Sequence, residues 1–539
     1  MQTVDYIVVG GGTTGCIVAS KLAQANKEAT VLLIEEGPAD TSPWIKYPGT
    51  YYKTAQGDLL TRYPWESPKE FERESGDTMI QARVLGGGSS VNGMVYARGN
   101  PQDYDAWEKS GAEGWGYKDI LPYYVRSEDN SDYVNEAHGI GGPLGISFPA
   151  SIHPLTRKWL QACQQAGHSY NHDFNSGNAE GCGIYQIQVR NALRSSSASA
   201  YLHPTMKSCS NLKLLTDTKV LRIIIENGIA KGIEYSKNKE KKQVFANSEI
   251  IISSGTIGTP KLLMLSGIGD AEALTKLGIK VNADVKGVGK NFQDHLEMSQ
   301  VYQLQNVESY DKYKKNKWKV VAALQYLISR TGPIATNLIE GGLFAKGSLT
   351  NEPADLQYFF IVGAGIEEGT DSVPGGTGCT LNFEHVRPKS RGFVELKSSN
   401  PDDYPRIVPN YMTNPYDLER LTEGYFIGQE IMKQSAFSSY VAKQHYPGID
   451  FKDKKDLGRF LRKTARAALH PVGTCKMGSD EFAVVDSQLK VKGIDNLRVA
   501  DASIMPFIVS GNTNAACTMI GERAADLILG KSKLPVANV

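Results

Sequence analysis

No stretch of this chain reaches the roughly 18 consecutive apolar residues that a membrane-spanning helix needs. An excess of one charge is missing as well: 59 basic residues stand against 58 acidic ones, a net charge of +1. That balance gives no electrostatic case for nucleic acid or an anionic membrane as partner. Cysteine is sparse, odd in number and scattered (Cys16, Cys163, Cys182, Cys209, Cys379, Cys475 and Cys517), and no C-x-x-C occurs. A disulfide framework is therefore not expected, and neither is a zinc site or any other metal site. The start, "MQTVDYIVVGGG", lacks the basic residues, longer apolar run and cleavage site of a secretory signal, so the chain reads as cytoplasmic. There is no internal repeat. Histidine occurs only nine times, yet one, His470, is held against a proline in the stiff turn "ALHPVGTCKMG". Such a residue is a candidate to take a proton while something else takes the electrons. Cys475, five residues on, reads as a small buried side chain packing the turn rather than as a nucleophile.

What is present is ordinary in amount and particular in arrangement. A 41% hydrophobic, 22% charged composition is that of a globular protein, and 539 residues exceed one hydrophobic core, so two or three core regions are expected. "DYIVVGGGTTGCIVASKLAQ" runs from an apolar strand through glycines into a helix with apolar Ile17, Val18 and Leu22. "ATVLLIEEG" is a second apolar strand. Strand, glycine turn, helix, strand is a βαβ unit, which implies a parallel sheet with helices on its faces. "LKLLTD", "KVLRIIIENGIAKGIEYS" and "SEIIISSG" read as further strands, with a hairpin signal at Asn227–Gly228. From about 300 to 465 the texture changes to basic, aromatic-laced segments such as "SYDKYKKNKWK", strands such as "DLQYFFIVGAG" and "GFVELKSS", and helical stretches. The lysine-rich "KNKEKKQ" at 237–243 reads as a solvated turn. A helix, "NAACTMIGERAADLILG", closes the chain.

Gly10, Gly12 and Gly15 form G-x-G-x-x-G between a strand and a helix. Glycine suits each place: a tight turn, close backbone approach to a pyrophosphate, and close helix–strand packing. The helix N-terminus adds N–H donors and a positive dipole end. Glu35 stands 20 residues after Gly15, directly after the second strand, where a ribose-binding carboxylate belongs; Glu36 is the competitor for that role. This is an adenine-dinucleotide site, and the pattern leaves NAD and FAD both open. Glycine-rich turns at 82–99 and 253–269 would let backbone approach a long ligand.

Taken together, "ARVLGGGSSVNGMVYARGNPQDYD", "GTIGTPKLLMLSGIG", "GVGKNFQDHL", "HPVGTCKMG" and "NLRVADASIMP…NTNAACTMIGERAADLI" resemble, in order, the segments of the glucose–methanol–choline (GMC) family of FAD-dependent oxidoreductases. The resemblance spans essentially the whole chain. It implies FAD rather than NAD, and an α/β architecture: a Rossmann-like FAD domain with a parallel sheet, from 1–155, 195–300 and 466–539. A substrate domain with an antiparallel sheet and helices takes 156–194 and 301–465. It also implies that His470 is the active-site base opposite flavin N5, with Asn514 as a neutral partner that orients the substrate oxygen. The dipole of the helix after Asn514 would favour reduced flavin. FAD contacts are expected from Gly10, Gly12, Thr13, Thr14, Gly15 and Glu35 in the first motif. Gly87, Ser89, Asn92, Gly93, Met94 and Val95 supply them in the second, and Val220, Asp501, Ala502, Asn512 and Thr513 later on. Covalently flavinylated relatives carry histidine before the asparagine that is Asn92 here; this chain has Val91, so FAD is expected to be non-covalent.

The stretches "GCGIYQIQVRNALRSSSASAYL", "ESYDKYKKNKWKVVAALQYLISRTGPIATNLIEGG", "GAGIEEGTDSVPGG" and "VRPKSRGFVELKS" resemble the L-sorbose-oxidising branch of the family. That implies a sugar or polyol hydroxyl as substrate and a quinone or dye as electron acceptor. Choline and polyethylene glycol dehydrogenases share much of the pattern and are the alternative. Choline would call for a carboxylate or aromatic cage, for which Glu340, Glu367 and Glu368 are available. A second class stays open, because the same fold hosts a hydroxynitrile lyase and a photodecarboxylase. The sequence is silent on oligomeric state.

Overall fold

Strand Val31–Ile34 is wholly apolar and buried throughout, and strand Gln2–Val9 is apolar from Tyr6 to Val9. Continuous rather than alternating apolar character is what a strand covered on both faces requires. In the computed structural model, which describes residues 2–67, 78–348, 353–366, 372–374 and 376–537, these strands form the centre of a seven-stranded sheet. Its order is Leu212–Leu215, Val31–Ile34, Gln2–Val9, Glu240–Ile252, Ile229–Lys237 and Thr218–Glu226, with Leu497–Val499 also paired to Glu240–Ile252. The first four strands and Leu497–Val499 run parallel, while the other two form antiparallel hairpins. Val9 lies level with Ile34 on one side and Ile252 on the other, and Ile252 with Val499. Parallel register therefore brings Gly10, Glu35, Ser253 and Asp501 to one edge, the edge where open α/β sheets bind ligands.

The helix Thr13–Ala25 covers one face and buries Ile17, Val18 and Leu22 as the pattern predicts. The last helix, Thr513–Ile528, lies against it closely enough that a Cβ on Gly521 would sit 3.0 Å from that of Ile17. The Asn227–Gly228 hairpin forms with both residues at positive φ, 51° and 78°. "KNKEKKQ" is only in part a turn: Asn238 and Lys239 turn at φ 53° and 68°, and Glu240 onward is strand. Residues 238–243 are exposed.

The second sheet is antiparallel, in the order Val441–Tyr446, Leu296–Leu304, Thr377–His385, Leu356–Ile361, Ile339–Ala345 and Gly181–Ile184, with Arg466–Ala467 paired to Leu296–Leu304. Residues 296–300 and 466–467, given to the FAD segments by the sequence-derived borders, thus pair within this sheet. "GFVELKSS" supplies only Phe393–Glu395, in a separate ribbon with Arg406–Val408. Alternation decides what each face does. Phe360 stacks on Trp159 of the helix Pro154–Gln165 at 5.0 Å, and Phe383 packs under Gly424 of the helix Pro415–Lys433. Their neighbours Phe359, Asn382 and Glu384 point the other way, into a cavity between the sheets. The two sheets anchor the two largest hydrophobic clusters.

Candidate active site

The cavity has a volume of about 1220 Å³ and is bounded by the glycine edge of the parallel sheet, the open face of the antiparallel sheet and the turn that carries His470. Glycine is required where the backbone closes it. Gly10 has φ +102°, and a Cβ there would meet Ser253 O at 2.3 Å; one on Gly15 would meet Gly10 O at 1.9 Å. Gly15 is thus a packing glycine and does not line the cavity, whereas Gly10, Gly12, Thr13 and Thr14 do. Gly12 begins the first helix without a side-chain cap, so the helix N-terminus opens on the cavity as an anion site. Glu35 lies at the same edge, buried, accepting from Gly11 N and Gly37 N at 2.8 Å each. Burial pushes its carboxyl up to about 7 against those two donors. Glu36 also lines the cavity, but from an exposed position.

Along the cavity lie Gly87, Val91, Asn92, Gly93, Met94 and Val95, followed by Val220. Met94 adopts φ 62°, and Asn92 Oδ1 accepts from Arg194 Nη1 at 2.7 Å and from Met94 N at 3.1 Å. Ser89 departs from expectation. It is buried outside the lining, its hydroxyl donating to Gly86 O at 2.6 Å and accepting from Ser197 N at 3.0 Å, so it braces the loop. Asp501 and Ala502 line the far side; Asp501 accepts from Thr259 Oγ1 at 2.6 Å and Gly255 N at 2.9 Å, which ties the third glycine turn to the site.

His470 follows Leu469, a non-glycine residue at φ 64°, the kind of strained backbone that surrounding structure must hold. The hold is visible: His470 N donates to the buried Asp294 carboxylate at 2.7 Å, and Tyr411 OH donates to the same carboxylate at 2.5 Å. The ring is 15% exposed, and burial lowers its pKa to about 4, so it is neutral at neutral pH. Nδ1 is 3.1 Å from Nδ1 of His295 and 3.7 Å from a Glu384 oxygen, while Nε2 is 3.1 Å from Nδ2 of Asn512. The ligand atoms of His295, Glu384 and His470 lie within 4.8 Å of one another.

Hydrogen bonding fixes the tautomer. Tyr185 OH donates to Tyr358 O, and Gln357 Nε2 donates to Tyr185 OH at 3.1 Å and to Asn512 Oδ1 at 3.2 Å. Asn512 therefore turns its NH₂ toward His470, whose Nε2 must accept and whose proton sits on Nδ1, donated to His295.

Asn512, not Asn514, is thus the partner of His470. Asn514 lines the cavity two residues further on, but accepts from Thr13 Oγ1 at 2.8 Å and donates to Gln188 Oε1 at 2.6 Å. The reason is rotational. Asn512 is the extended residue that begins the last helix, and a step of two residues carries Asn514 most of the way round to the first helix. Reasoning from sequence also missed Asp294 and His295, which sat in the quoted "GVGKNFQDHL", together with Gln357 and Glu384, for which no local signal existed. Of the carboxylates weighed for a cation, Glu340 is buried away from the cavity lining. It accepts from Tyr310 OH at 2.7 Å, Thr156 Oγ1 at 2.8 Å and His153 N at 2.7 Å. Glu367 and Glu368 lie outside the described residues. All seven cysteines are free; Cys475 is buried, and burial pushes its thiol far above the ordinary value, which leaves it a packing residue.

A glycine-rich edge facing an antiparallel sheet across a cavity, with a neutral histidine between them, fits an FAD-dependent alcohol oxidoreductase. The GMC oxidoreductase family model matches residues 4–297 and, in its C-terminal part, 388–521, and the chain belongs to that family. It is 39% identical to human mitochondrial choline dehydrogenase over 545 residues, covering 98% of this chain and 90% of the relative. It is 36% identical to an acceptor-dependent alcohol dehydrogenase of Pseudomonas putida, covering 98% and 96%. Among solved structures, pyridoxine 4-oxidase from Mesorbium loti superposes with a TM-score of 0.88 at 27% identity, covering 98% and 100%. A formate oxidase variant from Aspergillus oryzae RIB40 gives 0.91 at 27%, covering 98% of each chain. FAD is the cofactor, and the residues fit it: an uncapped helix N-terminus for the pyrophosphate, the Glu35 carboxylate for the ribose, and the 87–95 turn alongside. Val91 lines the cavity and offers no nucleophilic atom for a covalent link.

Two outcomes follow. Acid precipitation should release the flavin colour into the supernatant; flavin retained on the denatured polypeptide would show a covalent bond. Glu35→Gln should weaken FAD binding by about 10- to 100-fold, the value of a hydrogen bond to a charged group, while retaining one acceptor for Gly11 or Gly37. Undiminished flavin content in the purified variant would transfer the ribose role to Glu36.

Proposed function

We propose that this chain oxidises the terminal hydroxyl of a small cationic amino alcohol of the choline type, and passes the electrons to a quinone or dye-like acceptor. The observation that carries the reading is the Glu384 carboxylate, which lines the cavity 3.7 Å from the His470 ring. Beside it the sheet presents Phe359 and Asn382, with Tyr51 elsewhere in the same lining. A carboxylate with aromatic neighbours is the recognition chemistry of a quaternary ammonium. The names of the similar proteins favour choline over the L-sorbose expected from sequence.

When bound, FAD supplies the hydride acceptor. The protein's own part is to handle the proton and the geometry. Nε2 of His470, neutral and already an acceptor, takes the hydroxyl proton as the C–H bond weakens. At rest the Asn512 N–H occupies this Nε2 lone pair; a substrate hydroxyl takes its place, and the amide, held by Gln357, then donates to the substrate oxygen. Glu384 offsets the positive charge that His470 acquires, which burial alone would oppose. Asp294 fixes the backbone that aims the ring. Asn514 joins the last helix to the first through Thr13 and so supports the cofactor edge.

His470→Ala, isolated with full FAD, should slow anaerobic flavin reduction by about 10²–10⁴-fold, the usual worth of a general base, with reoxidation by a dye less affected. Asn512→Ala should cost about 2- to 12-fold, one neutral hydrogen bond, and more than Asn514→Ala; the reverse order would restore Asn514 as the partner. A parent-like rate in His470→Ala would reduce this histidine to a turn residue.

Anaerobic bleaching across choline, L-sorbose, other polyols, polyethylene glycol and simple alcohols tests the substrate. Choline should bleach fastest. Faster bleaching by L-sorbose would return the polyol reading, and no bleaching by any alcohol would place the chain with the lyases or photodecarboxylases of this fold.

A further inference from the structure

The helix Asn316–Ser329 is built the wrong way round for a globular protein. Of its residues only Ala322 and Tyr326 are buried. Val320, Val321, Leu324, Leu327 and Ile328 are 60%, 44%, 53%, 70% and 84% exposed. At about 100° per residue these five fall on one outward arc, opposite the Ala322–Tyr326 line that holds the helix to the body. The hold is specific: Tyr326 OH donates to Ala192 O at 2.8 Å, and its ring meets Tyr47 edge-on at 5.4 Å. The helix is therefore fixed in place with a contiguous aliphatic face presented to solvent, a pattern that marks an interaction surface.

The charge around that face says what would cover it. Residues 311–330 hold Lys312, Lys314, Lys315, Lys317, Lys319 and Arg330 against the single acid Asp311, in a chain whose net charge is +1. Lys312 and Lys314 are paired with Glu308 and Asp311; Lys315, Lys317 and Lys319 are exposed at the helix N-terminus. Lys53 stands close enough to Lys319 for the two ammonium groups to repel, and it lies 3.4 Å from the ring centroid of the exposed Trp44. Aliphatic residues on one face, exposed lysines clustered at the helix's N-terminal end and an exposed tryptophan nearby suit an interfacial helix, whose flexible cationic side chains meet phosphate headgroups while the apolar face enters the acyl boundary. At 14 residues the helix is too short to span, and no helix among the described residues is long and apolar enough to cross a membrane.

We propose that the outward face of helix Asn316–Ser329, with its lysine collar, docks this protein on the surface of an anionic lipid bilayer. The charge balance of the whole chain, which argued against such a partner, conceals the patch. Docking also orients the enzyme: Lys53 at the collar belongs to the short helix Tyr51–Thr54, whose Tyr51 and Tyr52 line the cavity, so the cavity wall adjoins the docked face.

Flotation of the FAD-loaded full chain with vesicles tests this. Vesicles of phosphatidylcholine containing about one-third phosphatidylglycerol should carry the protein upward, pure phosphatidylcholine vesicles much less, and high salt should weaken the binding. Each of Lys315→Glu, Lys317→Glu and Lys319→Glu should lower the partition coefficient at least about fivefold, the effect of one basic residue near a charged surface. The combined Val320→Ser, Leu324→Ser, Leu327→Ser, Ile328→Ser variant should lose flotation while keeping flavin content and parent activity with a water-soluble dye, since none of these residues touches the cavity. Parent protein that stays at the bottom of the gradient with anionic vesicles would overturn the proposal. So would a four-serine variant that still floats, or one that turns a dimer into a monomer without altering flotation, which would assign the face to a second copy of the chain. None of these results bears on alcohol oxidation, which the dye assay reads separately.

Discussion

Asn512 accepts from Gln357 Nε2 at 3.2 Å and donates to His470 Nε2 at 3.1 Å. Through those two bonds one amide joins the antiparallel sheet, the start of the last helix and the proline-stiffened turn. An amide has a donor end and an acceptor end, so once Gln357 claims the oxygen, the nitrogen must face the imidazole. That single constraint sets the protonation pattern of His470, directs its Nε2 lone pair at the Asn512 amide in the cavity wall, and passes the Nδ1 proton toward His295. Most of the chemistry argued above rests on this orientation.

The surroundings explain why the orientation persists. His470 and His295 are both driven toward neutrality by burial, while Asp294 is raised to about 7 and still receives donors from Tyr411 and the His470 backbone. Burying such groups is costly unless they are bonded, and bonded they admit few alternative arrangements. The same cluster holds Leu469 at positive φ, a strained conformation that would relax if the network were broken. The cofactor edge is held differently, by close backbone packing: Gly10 against Ser253, Gly15 against Gly10 and Gly87 against Gly12 leave no room for a side chain. One half of the site is thus specified by polar satisfaction and the other by steric exclusion.

Charge is distributed on two scales. Across the chain it cancels, and inside the cavity Glu297 is paired with Arg466 at 3.0 Å while Glu384 stands beside the histidines. Between residues 311 and 330 it does not cancel, and there the apolar face of a helix is turned outward. Net charge describes long-range behaviour of the whole molecule, whereas recognition acts over about a Debye length, so a local excess can matter where the sum is near zero.

The sequence alone determined what depends on neighbours along the chain. Strand, glycine turn and helix are read from apolar runs and from the spacing of Gly10, Gly12 and Gly15, and Glu35 follows from its spacing to Gly15 within one βαβ unit. His470 stood out because histidine is scarce and its turn is stiff. The Asn227–Gly228 hairpin was legible for the same local reasons. The tertiary structure decided what depends on distance and rotation. Which of Asn512 and Asn514 meets His470 turns on where the last helix begins, a matter of helical phase that spacing does not carry. Glu384 and Gln357 reach the site from strands more than 80 residues before His470, placed by antiparallel register. Ser89 is expected at the cofactor from the family resemblance of its motif, but its side chain turns inward to brace the loop. The helix Asn316–Ser329 has an apolar stripe in its sequence, but only packing shows that the body holds it by Ala322 and Tyr326 and leaves the stripe facing out.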